Sequence, residues 1–325
     1  MSELILRKPQ LPTELLRHIV FEYVSTFDEQ RKLEEPRQSY KPPWGSVEPL
    51  TLASKVLRQL ALEAWFEVYY VHTPDDLLTG WPEFGLWTKE LHCVELGTDL
   101  QVLPVQWNLR AFHRLRKLRI DFDPIMSNAM LLTRFDYPKH IASKIQELEI
   151  YDTSWPSPLT IHLIVDAFSD LRTLKLSQDL IWCSLCNICC FSTFQDHPPE
   201  EIIYDKSVGL PGHYATYMGS LTNLEEVVLT ISYDLGGYFS LLGRNDNLWT
   251  GECNACMDMM YAVEDFRQDW VEKKTQIMRP PSLKSVKWRF QYKDMIDVTH
   301  LVGVEEGEED EVAETADEFG VGSDD

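Results

Sequence analysis

The chain has 325 residues, of which 44% are hydrophobic and 11% aromatic, enough to form a sizeable core. Its formal net charge of −22 argues against nucleic acid as the main partner, because binding to phosphates requires a basic surface. No segment approaches the roughly 20 apolar residues of a membrane span, and the charged start lacks the apolar stretch of a secretory signal. We therefore expect a cytoplasmic or nuclear protein with no membrane partner.

The first predicted element is an amphipathic helix in residues 11–20, LPTELLRHIV. Pro12 has a fixed φ and no amide hydrogen, so it suits a first helical turn, and Glu14 complements the positive end of the helix dipole. Apolar residues then recur at the i, i+4 spacing of one buried face, namely Leu15, Leu16, Ile19 and Val20.

A second helical pattern covers residues 50–70, LTLASKVLRQLALEAWFEVYY. Its apolar residues have helical spacing, and aromatic residues cluster at its end. The two segments together resemble the two halves of an F-box. That resemblance implies two or three short helices that dock on an adaptor of the Skp type and so recruit the chain to a cullin-RING ubiquitin ligase.

The resemblance also implies which side chains contact the adaptor. The docking face would contain Leu11, Pro12, Leu15, Leu16 and Ile19, while Leu57, Leu60 and Trp65 would be shared between that face and a small core. Between the two halves, a polar and proline-bearing insert from about residue 28 to residue 48 is predicted to be a loop. We expect residues 1–80 to form this helical domain.

In residues 81–300 one pattern recurs, an apolar residue followed at +3 and +5 by further apolar residues. It is found at Leu91-Val94-Leu96, Leu115-Leu118-Ile120, Ile145-Leu148-Ile150, Leu171-Leu174-Leu176, Leu224-Val227-Leu229 and Leu283-Val286-Trp288. The intervals of 24, 30, 26, 53 and 59 residues indicate stacked units, each with a short strand and a helical or irregular return. The pattern resembles a degenerate leucine-rich repeat. Generic α/β layering with leucine-rich strands remains the alternative interpretation.

The predicted fold class is therefore α/β, an F-box-like helical unit followed by an irregular leucine-rich repeat (strand–helix) solenoid. A protein substrate would bind to the concave strand face and the loop edges. Side chains that we expect to be exposed there are Arg119, Asp121, Glu149, Tyr151, Lys175 and Thr230.

Seven cysteines, an odd and clustered set, fit a reducing compartment better than a disulfide framework. Two Cys-x-x-Cys pairs lie in the two longest intervals, in WCSLCNICC and GECNACMDMMY. Two such pairs can supply four thiolates to a tetrahedral zinc ion that is structural rather than catalytic, since no coordination position stays open. The favoured ligands are Cys183, Cys186, Cys253 and Cys256. Buried reduced cysteines remain the alternative, and Cys189 and Cys190 add competing ligands.

Residues 182–292 are also similar to a cysteine-bearing region of F-box-like proteins that are common in fungi. The segments GLPGHYA, LWTGECNACMDMMY and PPSLKSVKW carry this similarity. Beyond residue 300 the chain becomes strongly acidic, with eleven acids and no Lys or Arg in residues 304–325. We expect residues 301–325 to be a disordered, solubilising tail.

These features predict an interaction protein that does not itself catalyse a reaction. There is no Gly-rich phosphate loop, HExxH helix, G-x-S-x-G elbow or EF-hand loop in the sequence. The predicted function is that of a substrate-recruiting F-box subunit, with a Skp-type adaptor, a cullin scaffold and a protein substrate as partners. A scaffold without ligase function and an unrecognised hydrolase or transferase are the alternatives.

Overall fold

Parallel strands that follow one another in chain order organise the fold. The computed structural model describes residues 11–25, 41, 43–79, 83–94, 107–121, 135–153, 157–206, 208–238, 240 and 249–292. All of these residues belong to one compact unit. None of the helices in these ranges has the length and apolar character that a membrane crossing requires. The predicted tail, residues 301–325, lies outside the described residues.

Three helices open the described chain: α1 (Thr13–Ser25), α2 (Trp44–Ala53) and α3 (Lys55–Glu67). The continuous helical pattern predicted for residues 50–70 is interrupted at Ser54, which is extended (φ −163°) and accepts a hydrogen bond from the amide of Leu57. This serine ends α2 and caps α3, because its hydroxyl satisfies an amide that has no partner within the helix. The last residues of the pattern form a strand rather than a helix.

The loop predicted for about residues 28–48 ends earlier than expected, because residues 44–48 are helical. Pro43 is the N-cap of α2 with an extended backbone (φ −61°, ψ 138°). A proline suits a helix start, where its missing amide hydrogen has no partner to lose, so the prolines that predicted a loop precede a helix instead. Residues 28–40 of the predicted insert lie outside the described residues.

The three helices share a small hydrophobic core of their own, formed by Val20, Val24, Val47, Leu60, Ala61 and Ala64. Leu16 packs against it from α1. The prediction that Leu15 and Ile19 share the buried face with Leu16 was wrong, because both are about half exposed. The inward stripe continues instead through positions 16, 20 and 24, and the i, i+4 series that begins at Leu11 faces outward.

After α3, strands alternate with shorter helices. Their bounds are β1 (Val68–Val71), α4 (Asp76–Thr79), α5 (Phe84–Trp87), β2 (Glu90–Val94), β3 (Trp107–Asn108), β4 (Lys117–Asp121), β5 (Phe135–Asp136), α6 (Lys139–Ala142), β6 (Glu147–Thr153), α7 (Pro158–Ala167), β7 (Thr173–Gln178), β8 (Leu180–Trp182), β9 (Cys189–Phe194), β10 (Glu201–Asp205), α8 (Gly212–Met218), β11 (Glu226–Leu235), α9 (Asn254–Ala262), α10 (Glu264–Gln276) and β12 (Ser285–Tyr292).

The main sheet is open and mostly parallel, with strand order β1-β2-β4-β6-β7-β11-β12-β10. Only the last neighbours in this order, β12 and β10, are antiparallel. Strands β8 and β9 form an antiparallel hairpin, and β9 also pairs in parallel with the end of β11. The chain is therefore a mixed α/β protein, as the sequence predicts.

The recurring apolar residues form buried rows across the main sheet. One row of register partners contains Leu118, Leu148, Leu174, Val227 and Val286. The next row contains Ile120, Ile150, Leu176, Leu229 and Trp288. All of these side chains are buried, which fits the alternation of side chains along a strand. The strand positions predicted for these five units are confirmed.

The first unit is displaced by three residues from its predicted position. Leu91, rather than Val94, pairs with Leu118, so this unit has Thr88, Leu91 and Cys93 at its three inward positions. Thr88 is fully buried, and its hydroxyl donates to the carbonyls of Phe84 (2.8 Å) and Phe66 (3.0 Å). The apolar pattern missed this unit because a threonine that is satisfied by hydrogen bonds occupies an apolar position.

A ladder of backbone hydrogen bonds joins successive units just before their strands begin. The amide of Lys89 donates to the carbonyl of Glu67 (2.9 Å), and the amide of Arg116 donates to the carbonyl of Lys89 (2.7 Å). The same contact repeats at residues 146, 172, 225 and 284. Because the first of these bonds starts at the end of α3, the helical unit is attached directly to the sheet.

Candidate functional site

The first cysteine pair lies in the tight turn between β8 and β9. The amide of Cys183 donates to the carbonyl of Ile188 (3.0 Å), and the amide of Asn187 donates to the carbonyl of Cys183 (2.9 Å). Asn187 has a left-handed backbone (φ 58°), and its side-chain oxygen accepts a hydrogen bond from the indole of Trp182 (2.8 Å). These bonds hold the turn that carries Cys183 and Cys186 in one conformation.

The second cysteine pair lies at the start of α9. Cys253 is the N-cap residue of this helix, and Cys256 lies in its first turn. The side-chain amide of Asn254 donates to the carbonyl (2.6 Å) and hydroxyl (2.7 Å) oxygens of Thr193 in β9. The helix start is therefore fastened to the same hairpin that carries the first pair.

The four predicted ligands lie together. The Sγ atoms of Cys183, Cys186, Cys253 and Cys256 are all within 4.8 Å of one another, and three of the four residues are buried. The distance between the sulfurs of Cys186 and Cys253 is 3.8 Å. A disulfide requires about 2.05 Å, whereas four sulfurs at about 2.3 Å from one tetrahedral metal ion lie about 3.8 Å apart. These four cysteines could hold a metal ion.

The electrostatics of the cluster concentrate negative charge on one sulfur. The pKa of Cys183 is lowered to about 4, first by a hydrogen bond from the thiol of Cys253 and then by nearby backbone amides. Burial, and after it the charge on Cys183, raise the pKa of Cys256 to about 12. Two thiolates side by side repel each other, and a cation between the sulfurs would offset that repulsion. This is how a metal ion replaces protons in thiolate sites.

The two additional cysteines are placed differently. Cys190 is partly buried and packs against the four-cysteine cluster, whereas Cys189 is the preceding residue of β9, whose side chain points to the opposite face of the strand. Burial raises the pKa of both thiols, that of Cys189 to about 11. The alternation along β9 therefore distinguishes the two cysteines that the sequence left as competing ligands.

The residues predicted to bind a substrate lie on the polar face of the main sheet, but half of them are not exposed. Arg119, Asp121 and Glu149 are buried, which corrects the expectation that they are open to solvent. The guanidinium of Arg119 donates to both carboxylate oxygens of Asp121 (2.9 and 3.0 Å) and lies 4.2 Å from the ring centroid of Tyr151. These groups satisfy one another within the sheet face. Lys175, Tyr151 and Thr230 are partly exposed.

Glu149 is at the centre of a charge network on the same face. Its carboxylate lies 2.6 Å from the ammonium of Lys175 and 3.2 Å from that of Lys117. Burial alone raises the pKa of Glu149, but the two ammonium groups outweigh burial and lower it to about 2. Lys117 also contacts Glu90 and Glu147. Sequence reasoning missed Lys117, although the period-two alternation places it on the same face as Arg119.

The residues predicted to bind an adaptor divide into outward and inward groups. Leu11, Pro12, Leu15 and Ile19 are exposed on and just before α1. Leu16, Leu57 and Trp65 are partly buried against the helical core, and Leu60 is buried within it. The exposed members thus lie on α1, whereas α3 contributes mainly to the core.

An apolar groove of about 540 Å³ lies where α2 and α3 meet α5. It is lined by Trp44, Thr51, Leu52, Arg58, Leu62, Trp65, Phe66 and Phe84. Edge-to-face contact of Trp44 with Trp65 (centroids 5.2 Å apart) and stacking of Phe66 on Phe84 (3.7 Å) shape its walls. Of these residues the sequence singled out only Trp65 as a binding candidate, since the groove is assembled from three separate helices.

Comparisons with known proteins do not assign the chain to a family. No family model matches it, and none of the curated proteins matches its sequence. The interpretation of its function therefore depends on the placement of the side chains described above.

Proposed function

We propose that the chain is a substrate-recruiting F-box subunit of a cullin-RING ubiquitin ligase. Its N-terminal helices bind a Skp-type adaptor, and its stacked parallel strands, which we interpret as degenerate leucine-rich repeats, bind a protein substrate. The chain itself acts by positioning. Holding a substrate near the ubiquitin-charged enzyme of the same assembly raises its effective concentration there.

An exposed apolar stripe on the first helix carries this proposal. Leu11, Leu15, Ile19 and Tyr23 are 61%, 51%, 53% and 45% exposed. Their spacing of four residues places Leu15, Ile19 and Tyr23 along one side of α1, and Leu11 lies just before the helix begins. A neighbouring side of this helix already supplies the helical core. Folding of the unit thus leaves the stripe available, and a contiguous apolar surface of this kind favours a protein partner.

The rigid junction between helices and sheet supports the same function. β1 begins at Val68, directly after the last residue of α3, and the hydrogen bond from Lys89 to Glu67 anchors this point. Stacking of Phe66 on Phe84 adds a second contact across the junction. A substrate held on the strands would therefore stay at a defined distance from an adaptor held on the helices.

Co-purification with a purified Skp-type adaptor tests this function. A Leu15→Arg, Ile19→Arg double variant places two charges in the stripe but leaves the core-packing Leu16 intact, so we expect it to stay folded and lose adaptor binding. A matched Glu14→Arg, Ser25→Arg variant adds two arginines at exposed positions of α1 outside both the stripe and the core, and should bind like the wild type. If the folded wild type fails to bind the adaptor, the ligase function is wrong and a scaffold without ligase function becomes the better explanation.

We also propose that the four clustered cysteines hold a structural zinc ion. Four thiolates match the preference of zinc for a closed tetrahedral site, and the separation of 3.8 Å between two of the sulfurs supports this geometry. Such an ion would join the β8–β9 hairpin to the start of α9, although Cys186 and Cys253 are 67 residues apart in the chain. Metal analysis of the purified protein should find one zinc ion per chain, and a Cys183→Ser, Cys253→Ser variant should contain none.

A further inference from the structure

The loop that carries the second cysteine pair is closed by a buried carboxylate. Glu252, which immediately precedes Cys253, is only 1% exposed. One of its carboxylate oxygens accepts a hydrogen bond from the hydroxyl of Thr250 (2.7 Å), and the other accepts one from the amide of the same residue. Thr250 is itself fully buried. Both oxygens of the carboxylate are thus used to hold a turn of three residues.

Contacts on the other sides of the loop restrict it further. The indole of Trp249 donates to the carbonyl of Glu252 (2.9 Å), and the hydroxyl of Tyr204 in β10 donates to the carbonyl of Trp249 (2.7 Å). Gly251 has a positive φ of 90°, and a Cβ atom there would lie 2.7 Å from the ring of Trp288. The loop therefore has glycine where a side chain would collide with the core.

The carboxylate of Glu252 also forms a buried ion pair. The ammonium of Lys274 in α10 lies 3.8 Å from the carboxylate, and Lys274 is also buried. Burial lowers the pKa of Lys274, and the nearby carboxylate only partly offsets this effect. A buried ion pair of this kind gains little over well-packed apolar side chains, so its clearest effect is to fix one arrangement of the groups that it bonds.

We propose that Glu252 is a positioning residue of the metal centre. Its carboxylate holds residues 249–253 so that the sulfurs of Cys253 and Cys256 face the first cysteine pair before an ion arrives. The loop is then ordered during folding, so metal binding does not carry the entropy cost of ordering it. The affinity for the metal is higher as a result. This inference rests on the proposed metal centre.

Zinc affinity of the full chain, measured by competition with a chromophoric chelator, tests the inference. Glu252→Gln keeps the shape of the side chain but directs an amide group at the donors of Thr250. Thr250→Val is the milder change, since it removes only the hydroxyl that donates a hydrogen bond to Glu252. We expect zinc binding to weaken about 10- to 100-fold in Glu252→Gln and about tenfold in Thr250→Val.

Thr160→Val is the matched control, because Thr160 is a buried threonine of α7 whose hydroxyl has no hydrogen-bond partner among the described residues. It should bind zinc like the wild type. The urea midpoint of the chelated protein is measured in parallel, and the absorption bands of bound Co²⁺ report whether the tetrahedral thiolate geometry is kept.

The outcomes separate the two proposals. Weaker zinc binding in both loop variants, with chelated proteins as stable as the Thr160→Val control, supports a positioning role. The positioning role is overturned if zinc affinity is unchanged, or if it falls only as much as the stability of the chelated protein falls. If the wild type itself binds neither zinc nor Co²⁺, the metal centre is wrong, and the inference about Glu252 fails with it.

Discussion

The N-terminal helices and the main sheet bury their apolar residues in different ways. In the helices, a small core lies beside an exposed apolar stripe that begins at Leu11. One side of α1 packs on the core, and the neighbouring side, which is also apolar, faces solvent. In the sheet, every second residue of a strand points inward, so the apolar rows are buried, and the outward positions of β4, β6 and β7 are polar.

This difference separates two kinds of surface. The outward face of the sheet around Glu149 is filled by mutually paired charges, so its buried members have little left to offer to a partner. The aliphatic side chains of the helical stripe, Leu11, Leu15 and Ile19, gain only by being covered. Under the proposed function, partner binding would depend on apolar contact at the helices and on the partly exposed polar side chains at the sheet.

Removal of the proposed zinc ion should have the largest effect, and the increase in local opening should be confined to one region. Chelation is expected to lower the free energy of unfolding by about 4 kcal/mol relative to protein with free zinc at 1,000 times its dissociation constant. Hydrogen exchange should increase in the β8–β9 hairpin and α9 but not in the helices α1 to α3. Urea unfolding with and without a chelator, followed by exchange mass spectrometry, measures both effects. Increased exchange in α1 would contradict the separation of the two regions.

Truncation of one leucine in each core should sharpen the comparison. Leu148 is fully buried in the sheet, so Leu148→Ala should cost about 3–4 kcal/mol, whereas Leu60→Ala in the smaller helical core should cost about 2 kcal/mol. Because Leu60 belongs to a separate cluster, its truncation should increase hydrogen exchange mainly in α1 to α3. Equal exchange throughout the chain in both variants would show that the cores unfold together.

The smallest expected effect is that of acid on the charge network around Glu149, measured as a loss of stability. The pKa of Glu149 is about 2 in the folded protein, below its ordinary value of 4.5, so its carboxylate stabilises the fold above pH 4.5. That contribution, on the order of 1–2 kcal/mol, is lost as the pH falls from 4.5 to 2. Glu149→Gln should therefore show a shallower loss of stability over this window in urea titrations.

The control for this pH dependence is Thr160→Val, which removes a buried hydroxyl of α7 and no titratable group. Its stability should follow the wild-type pH dependence between pH 4.5 and 2. A Glu149→Gln profile that is indistinguishable from that of Thr160→Val would mean that the network does not stabilise the fold.

Much of the sheet could be predicted from the sequence because its signal is local. Leu118 and Ile120 alternate with polar neighbours, and the same spacing recurs in later units, so the strands and their inward positions could be located. The first unit was misplaced because Thr88 occupies an apolar position, and its burial depends on carbonyls of residues 66 and 84 that adjacent sequence does not indicate.

The helices show where local patterns become ambiguous. An apolar residue every four positions indicates a helical face, but the pattern does not say whether that face meets a core or solvent. Leu15 and Leu16 are adjacent and equally apolar, yet only Leu16 packs on the core that α2 and α3 complete. The break at Ser54 was also missed, since a serine is tolerated inside a helix as well as at its cap.

By itself, the sequence determined the Cys-x-x-Cys spacing of each cysteine pair, the inward rows of the strands and the existence of the N-terminal helices. These features depend on spacing along the chain. Only the tertiary structure decided that the sulfurs of Cys183 and Cys253 meet, that Glu252 is buried in the loop before Cys253, and that Arg119 is buried. Burial and the meeting of the sulfurs both depend on contacts between residues distant in sequence, and such contacts form only when the strands stack.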